Sequence, residues 1–139
     1  MLRVSALILA IGVMGAAPDA KSDKLEDTWA VKSFVHHGEK MPEAQASKMK
    51  LILKDGKFSL KEGDETIDEG TYAVDTSKSP AHIDIVSNVS DKQGVVDPGI
   101  FELKGDTLKT AFDEIGKRNR PTTFDAQKYQ VVEFTRVKK

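Results

Sequence analysis

Short runs of alternating apolar and polar residues constrain the fold of this chain more than any other feature of its sequence. They begin beyond Lys24 and are separated by turn residues, as where Met49 to Leu53 precedes Asp55-Gly56. A period of two places the apolar side chains on one face of a strand, and the intervening dipeptides favour tight hairpins. The pattern therefore predicts consecutive antiparallel strands.

About eight such strands are predicted, from Trp29–Val35 at the start to Gln130–Val137 at the end. Their connections leave no room for crossover helices, which excludes parallel pairing. Closing the set into a tube would remove the two exposed edges that an open sheet leaves. We therefore predict an all-β fold, an antiparallel up-and-down eight-stranded lipocalin-like barrel, with a two-sheet sandwich as the alternative.

Three local features of this barrel are also predicted. Pro42 favours the first position of a short helix in the first long loop, because its fixed φ suits that position. Gly70, inside a strand, predicts a bulge or sharp bend of the kind that closing a barrel requires. A loop is predicted from about Ser87 to Pro98.

The N-terminal residues indicate export. Arg3 precedes an uncharged run from Val4 to Ala17, which predicts a signal peptide over residues 1–20 and a periplasmic or secreted protein. The run is about 14 residues, shorter than the roughly 20 of a membrane-spanning helix. The chain has no cysteine that could carry a lipid. We expect a single domain over residues 25–139, monomeric and without a stable membrane anchor.

The composition and motifs argue against several functions. A formal net charge of -1 gives no field that would draw the protein to nucleic acid. The adjacent His36 and His37 would point to opposite faces of a strand, so they predict no metal site. Motifs of hydrolases, zinc peptidases or phosphate-binding loops do not occur in the sequence. We therefore predict a protein that is not an enzyme, with no catalytic residues and no cofactor.

Several short blocks follow one another along about residues 25–137. They are Leu25 to Trp29, His37 to Lys40, Leu53 to Phe58, Glu69 to Tyr72, Pro80 with Ile83-Asp84, Gly99 to Leu103, Gly105 to Lys109, and Arg120 to Thr122 with Phe124. In this order the blocks resemble those of a family of small uncharacterised exported domains that are abundant in planctomycete bacteria. The resemblance implies a lipocalin-like fold but no activity, because that family has no assigned biochemical function and a fold does not determine one.

Trp29 and Arg136 are predicted to form a structural plug at one end of the barrel. They lie on the first and last strands, which are neighbours if the barrel closes. A guanidinium over an indole face gains roughly 0.5 to 2 kcal/mol. In lipocalin-like barrels such a pair caps the closed end.

The interior of an eight-stranded barrel is either filled by side chains or holds one small ligand. The aromatic residues among the predicted inward positions favour a filled interior, or a shallow pocket at one mouth. The predicted inward set is Trp29, Val31, Leu51, Leu53, Phe58, Leu60, Tyr72, Val74, Ile83, Ile85, Phe101, Leu103, Leu108, Phe112, Val132 and Phe134.

If a pocket exists, its candidate ligand-binding residues are Met41, Met49, Tyr72, Phe101 and Arg120. Met41 lies within the connection from His36 to Lys48, which would cover the mouth, and Met49 directly follows it. Thioethers adapt to varied apolar partners, so both could line the pocket. Arg120 belongs to a basic cluster that would contact an anion or a partner protein. Alternatively, Arg120 bonds backbone carbonyls while Pro121 and Phe124 cover one barrel end.

Two functions stay open from the sequence. One is an exported binding module that takes a small apolar or amphipathic ligand at the barrel mouth. The other is a structural or protein-interaction domain with a filled core.

Overall fold

The computed structural model describes residues 24–89, 94–114 and 117–138. The predicted signal peptide lies outside the described residues. Within them, no helix is both long enough and apolar enough to cross a membrane. The strands and the short helix are β1 (Asp27–His36), β2 (Glu39–Lys40), α1 (Glu43–Ala46), β3 (Met49–Lys54), β4 (Lys57–Glu62), β5 (Glu65–Asp75), β6 (Ala81–Ser87), β7 (Val96–Lys104), β8 (Thr107–Phe112) and β9 (Gln130–Arg136).

The strands form one closed antiparallel barrel. From β3 to β9 each strand pairs with the next, and β3 also pairs with β1. The last strand returns to the first, with Gln130 opposite His36 and Arg136 opposite Trp29. Eight strands thus close the barrel, and β2 pairs with the end of β1 as an additional strand. The predicted barrel is confirmed.

Local turn chemistry explains the hairpin between β3 and β4. Asp55 and Gly56 have φ angles of 53° and 76°. Positive φ at both central residues defines the turn whose twist matches antiparallel strands, and the Asp-Gly pair tolerates it. The second predicted hairpin also forms, with Gly105-Asp106 between β7 and β8.

Two predicted details need correction. The register of β4 and β5 shifts at Ile67, between the pairs Leu60–Asp68 and Lys61–Thr66, and not at Gly70. A Cβ at Gly70 would overlap the backbone carbonyl of Val86, so this glycine permits close strand approach instead.

The connection between β6 and β7 is also shorter than predicted, because β7 begins at Val96 and continues through Pro98. Pro42 directly precedes α1, and its carbonyl accepts hydrogen bonds from Gln45 and Ala46 at 3.0 and 2.9 Å.

Apolar side chains form two clusters on opposite faces of the barrel wall. The inner cluster contains every residue of the predicted inward set. The outer cluster consists of Ile100, Ala111 and Val131 on neighbouring strands, with Tyr129. Phe124 packs against this outer cluster. The segment between β8 and β9 therefore packs on the outside of the barrel. The alternative interpretation, in which Phe124 covers one barrel end, is wrong on this point.

Candidate functional site

The closed end of the barrel is sealed by an indole and a guanidinium. Trp29 is 0% exposed, and its Nε1 donates a hydrogen bond to the carbonyl of Leu25 at 2.9 Å. The guanidinium of Arg136 lies 4.4 Å from the centre of the Trp29 ring. It also pairs with Asp27 at 2.9 Å and with Asp106 at 3.1 Å. The structure thus brings Trp29 and Arg136 together at one end.

The Asp27 carboxylate affects the pKa of Arg136 at this end of the barrel. Its hydrogen bond raises the pKa of Arg136 above the ordinary value, and desolvation by burial opposes the effect only partly. Arg136 therefore stays charged beside Trp29 and Asp27.

A cavity of about 470 Å³ lies inside the barrel and opens at its other end. Its wall is mostly apolar and extends from Leu53 and Ile83 inside the barrel to His36 and Glu62 at the opposite mouth. Ligand-binding cavities are commonly about 300 to 1,000 Å³ with mostly apolar walls. The volume is therefore sufficient for a small organic molecule.

This cavity corrects the prediction of a filled or shallow interior. The aromatic residues Trp29, Tyr72 and Phe101 are buried at positions nearer the closed ends of their strands. None of these three lines the cavity, whose wall combines Phe34, Phe58, Phe112 and Phe134 with smaller residues such as Val31 and Leu51. Because Trp29, Tyr72 and Phe101 lie towards one end, space is left at the other.

The structure separates the five candidate ligand-binding residues. Met41 and Met49 line the cavity, one before and one after α1. Tyr72 and Phe101 are buried in the inner cluster but are not part of the cavity wall. Phe101 instead borders a second, smaller pocket beside Pro80.

Arg120 is bound to the barrel wall. Its Nη1 donates a hydrogen bond to the carbonyl of Gly99 at 2.9 Å and lies 2.8 Å from Oδ1 of Asp84. These contacts hold the segment before β9 against β6 and β7. Arg120 does not line the cavity.

Acidic residues that sequence reasoning overlooked surround the mouth. We define the acidic rim as the carboxylates that line the cavity, Glu62, Asp68, Asp97, Asp113 and Glu114. Among the described residues of the wall there is no lysine or arginine. The apolar cavity therefore opens through a negatively charged mouth.

The partners of these carboxylates differ. Asp68 accepts a hydrogen bond from the hydroxyl of Ser87 at 2.5 Å. Glu114 forms an ion pair with Lys117 at 3.6 Å, and its other carboxylate oxygen lies 3.5 Å from Nε2 of His37. Glu62 is partly buried, and its side chain forms no hydrogen bond or ion pair with the described residues.

One polar group lies within the apolar part of the cavity. Thr110 is 5% exposed and lies on β8 between Leu108 and Phe112, which belong to the inner cluster. It lines the cavity, and its hydroxyl forms no hydrogen bond with the described residues.

Strand alternation is the signal that would have revealed several of these polar positions. Glu62 follows Leu60 by two residues, Asp68 precedes Gly70 by two, and Thr110 stands between two inward residues. Applying the period of two to polar residues within the strands, and extending it to the strand ends, would therefore have placed them inside the barrel.

Two long connections meet at the mouth. The amide of Gly38, next to β2, donates a hydrogen bond to the carbonyl of Ala126 at 2.7 Å.

In the described part of the chain, no group of three or more acidic or histidine side chains is arranged to hold a metal ion.

Fold and cavity together define an eight-stranded antiparallel barrel of lipocalin-like type with one sealed end and one acidic mouth. Comparisons with protein-family models, with curated proteins and with solved structures find no match to this chain.

Proposed function

We propose that the mature, exported domain binds a small apolar or amphipathic molecule in the barrel cavity, without catalysis. The observation that carries this proposal is the cavity of about 470 Å³ with a mostly apolar wall. A core that served stability alone would gain from filling such a space, since cavities are destabilising. The volume therefore favours a binding function over a purely structural one.

The energetics of burial indicate the affinity to expect. An alkyl chain of about ten carbons contributes roughly 8 kcal/mol when buried. At least about 4 kcal/mol of this is offset by lost translational and rotational freedom. Apolar contact alone thus gives binding in about the millimolar range, and tighter binding requires polar contacts as well.

Titration with N-phenyl-1-naphthylamine, a neutral dye that fluoresces in apolar surroundings, tests the proposal. We expect saturable binding that Leu60→Trp weakens about tenfold or more, because Leu60 lines the cavity. The matched control is Ser59→Trp, since Ser59 directly precedes Leu60 on β4, faces the other side of the strand and does not line the cavity. Melting temperatures establish that both variants fold.

Two results would contradict cavity binding: a dye that does not bind, or one that binds Leu60→Trp as well as it binds the control. Native mass spectrometry of protein purified from its own host supplies a second readout. A co-purifying lipid or metabolite would support the proposal, and a clean apo mass would weaken it.

A further inference from the structure

We propose that the ligand of this cavity is an amphiphile with a cationic nitrogen, whose head group binds the acidic rim while its apolar body lies in the barrel. This inference rests on the proposed function and specifies the chemical class of the ligand. It is carried by the charge of the mouth and by the hydroxyl group of Thr110.

The charge at the mouth is local. The whole chain has a formal net charge of -1, with 21 lysines and arginines against 22 acidic residues. The described wall of the cavity nevertheless contains five carboxylates and no lysine or arginine. An anionic head group at this mouth would meet like charges, whereas an ammonium group would gain charge-assisted hydrogen bonds.

Glu62 is the carboxylate best placed to bind such a group. It is the last residue of β4, lines the cavity and is partly buried. Unlike Glu114, it forms no ion pair with the described residues. Partial burial reduces the screening by water that weakens exposed pairs.

Thr110 provides an independent indication of a ligand. Thr110 is 5% exposed, yet its oxygen is not among the fully enclosed polar side-chain atoms that lack a partner in the described chain, so this oxygen is accessible from the cavity. It borders the cavity, so a bound molecule can reach it. Thr110 lies two residues, or about 7 Å of strand, before Phe112 at the mouth end of β8. A ligand whose ammonium group binds the acidic rim should therefore have a polar atom about 7 Å or more from its cationic nitrogen.

Competition against N-phenyl-1-naphthylamine with three compounds of equal chain length tests the charge of the head group. At low ionic strength and neutral pH we expect decylamine to bind about tenfold more tightly than decanol, and decanoate to bind more weakly than decanol. Glu62→Gln should weaken decylamine about three- to tenfold and leave decanol unchanged.

The matched control is Glu69→Gln, which removes the same charge from an exposed residue that does not line the cavity. We expect it to change the affinity for decylamine less than twofold. Because Glu69 and Glu62 are both single carboxylates, the pair separates an effect of the mouth from an effect of total charge. Melting temperatures again establish that both variants fold.

A second comparison tests Thr110. The probe 6-propoxyhexylamine resembles decylamine in length but has an ether oxygen beyond the sixth carbon. Thr110→Val, which is nearly isosteric, should shift the ratio of the two affinities towards decylamine about three- to tenfold, because the ether loses its hydroxyl donor.

The outcomes are distinguishable. If neither the dye nor any of these compounds binds, the cavity function itself fails and this inference fails with it. If the dye and decanol bind but decylamine has no advantage, or if Glu62→Gln acts no differently from Glu69→Gln, cavity binding stands and the cationic ligand is refuted. An unchanged ratio in Thr110→Val would overturn the second polar contact.

Discussion

Arg136→Ala is the substitution that most directly tests how the barrel closes. The guanidinium joins both ends of the described chain, because it lies over Trp29 on β1 and pairs with Asp27 on the same strand. Its Nη1 also donates a hydrogen bond to the carbonyl of Lys24 at 3.1 Å. We expect the substitution to lower the free energy of unfolding more than any exposed ion pair could explain.

The structure sets the size of this loss. The side chains of Arg136 and Asp27 are 24% and 14% exposed. Breaking a fully buried pair costs about 3 to 5 kcal/mol, and this partial exposure reduces the cost to about 1 to 2 kcal/mol. Contact with Trp29 adds about 1 kcal/mol. Asp106 is 63% exposed and adds at most about 0.5 kcal/mol. The expected total is about 2 to 3.5 kcal/mol.

Urea unfolding followed by circular dichroism measures this loss at neutral pH. The raised pKa of Arg136 means that its stabilising contribution is complete below the pKa of the unfolded chain and is lost only as pH rises through the folded value. Because both lie in the strongly alkaline range, the loss should not vary between mildly acidic and neutral pH. A double-mutant cycle with Trp29→Leu should give a coupling of about 1 kcal/mol.

Asp106→Ala is the control, with an expected loss below about 0.5 kcal/mol. It removes the exposed arm of the same ion-pair group and leaves Trp29 and Asp27 in contact with Arg136. The reasoning is refuted if Arg136→Ala is no more destabilising than Asp106→Ala.

Two further predictions concern strand approach and a turn. Gly70→Ala should lower the free energy of unfolding by about 2 to 4 kcal/mol, because the added methyl group would overlap the carbonyl of Val86; urea unfolding that shows a loss below about 0.5 kcal/mol would contradict this overlap. Asp75 accepts hydrogen bonds from the hydroxyl and the amide of Ser77, which lower its pKa, so Ser77→Ala should raise that pKa when the carboxyl group is titrated by NMR. A lowered pKa stabilises the fold above the unfolded value of about 3.9, and the contribution is lost as pH falls through the folded value. An unchanged pKa in Ser77→Ala would exclude the hydroxyl as a cause.

Most of the barrel was predictable because its signals are local. The alternation that contains Leu51 and Leu53, and the turn at Asp55-Gly56, specify a hairpin within a few residues of chain. The same alternation placed the inward residues correctly. It was not extended to the strand ends, and the inward position of Glu62 was therefore missed.

The outer cluster shows why other features were not predictable. Ile100 and Val131 are apolar residues on the outer face, and they are buried because Phe124 and Tyr129 pack over them. The local sequence around Ile100 and Val131 does not predict that a loop will cover them. The alternative in which Arg120 bonds backbone carbonyls is confirmed by its contact with Gly99. The particular partners Gly99 and Asp84 were not predictable, since both are far from Arg120 in sequence.

The sequence by itself determined the strands, the hairpins and the face of each strand that lies inside, because each depends on neighbouring residues. Only the tertiary structure decided how much space the barrel encloses. The cavity volume depends on the registers of all eight strands, the bulge at Ile67 and the bulk of Trp29, Tyr72 and Phe101 towards one end. Each of these contributions depends on contacts between residues that are distant along the chain. The same alternation along the strands is compatible with a filled barrel interior or with an open one.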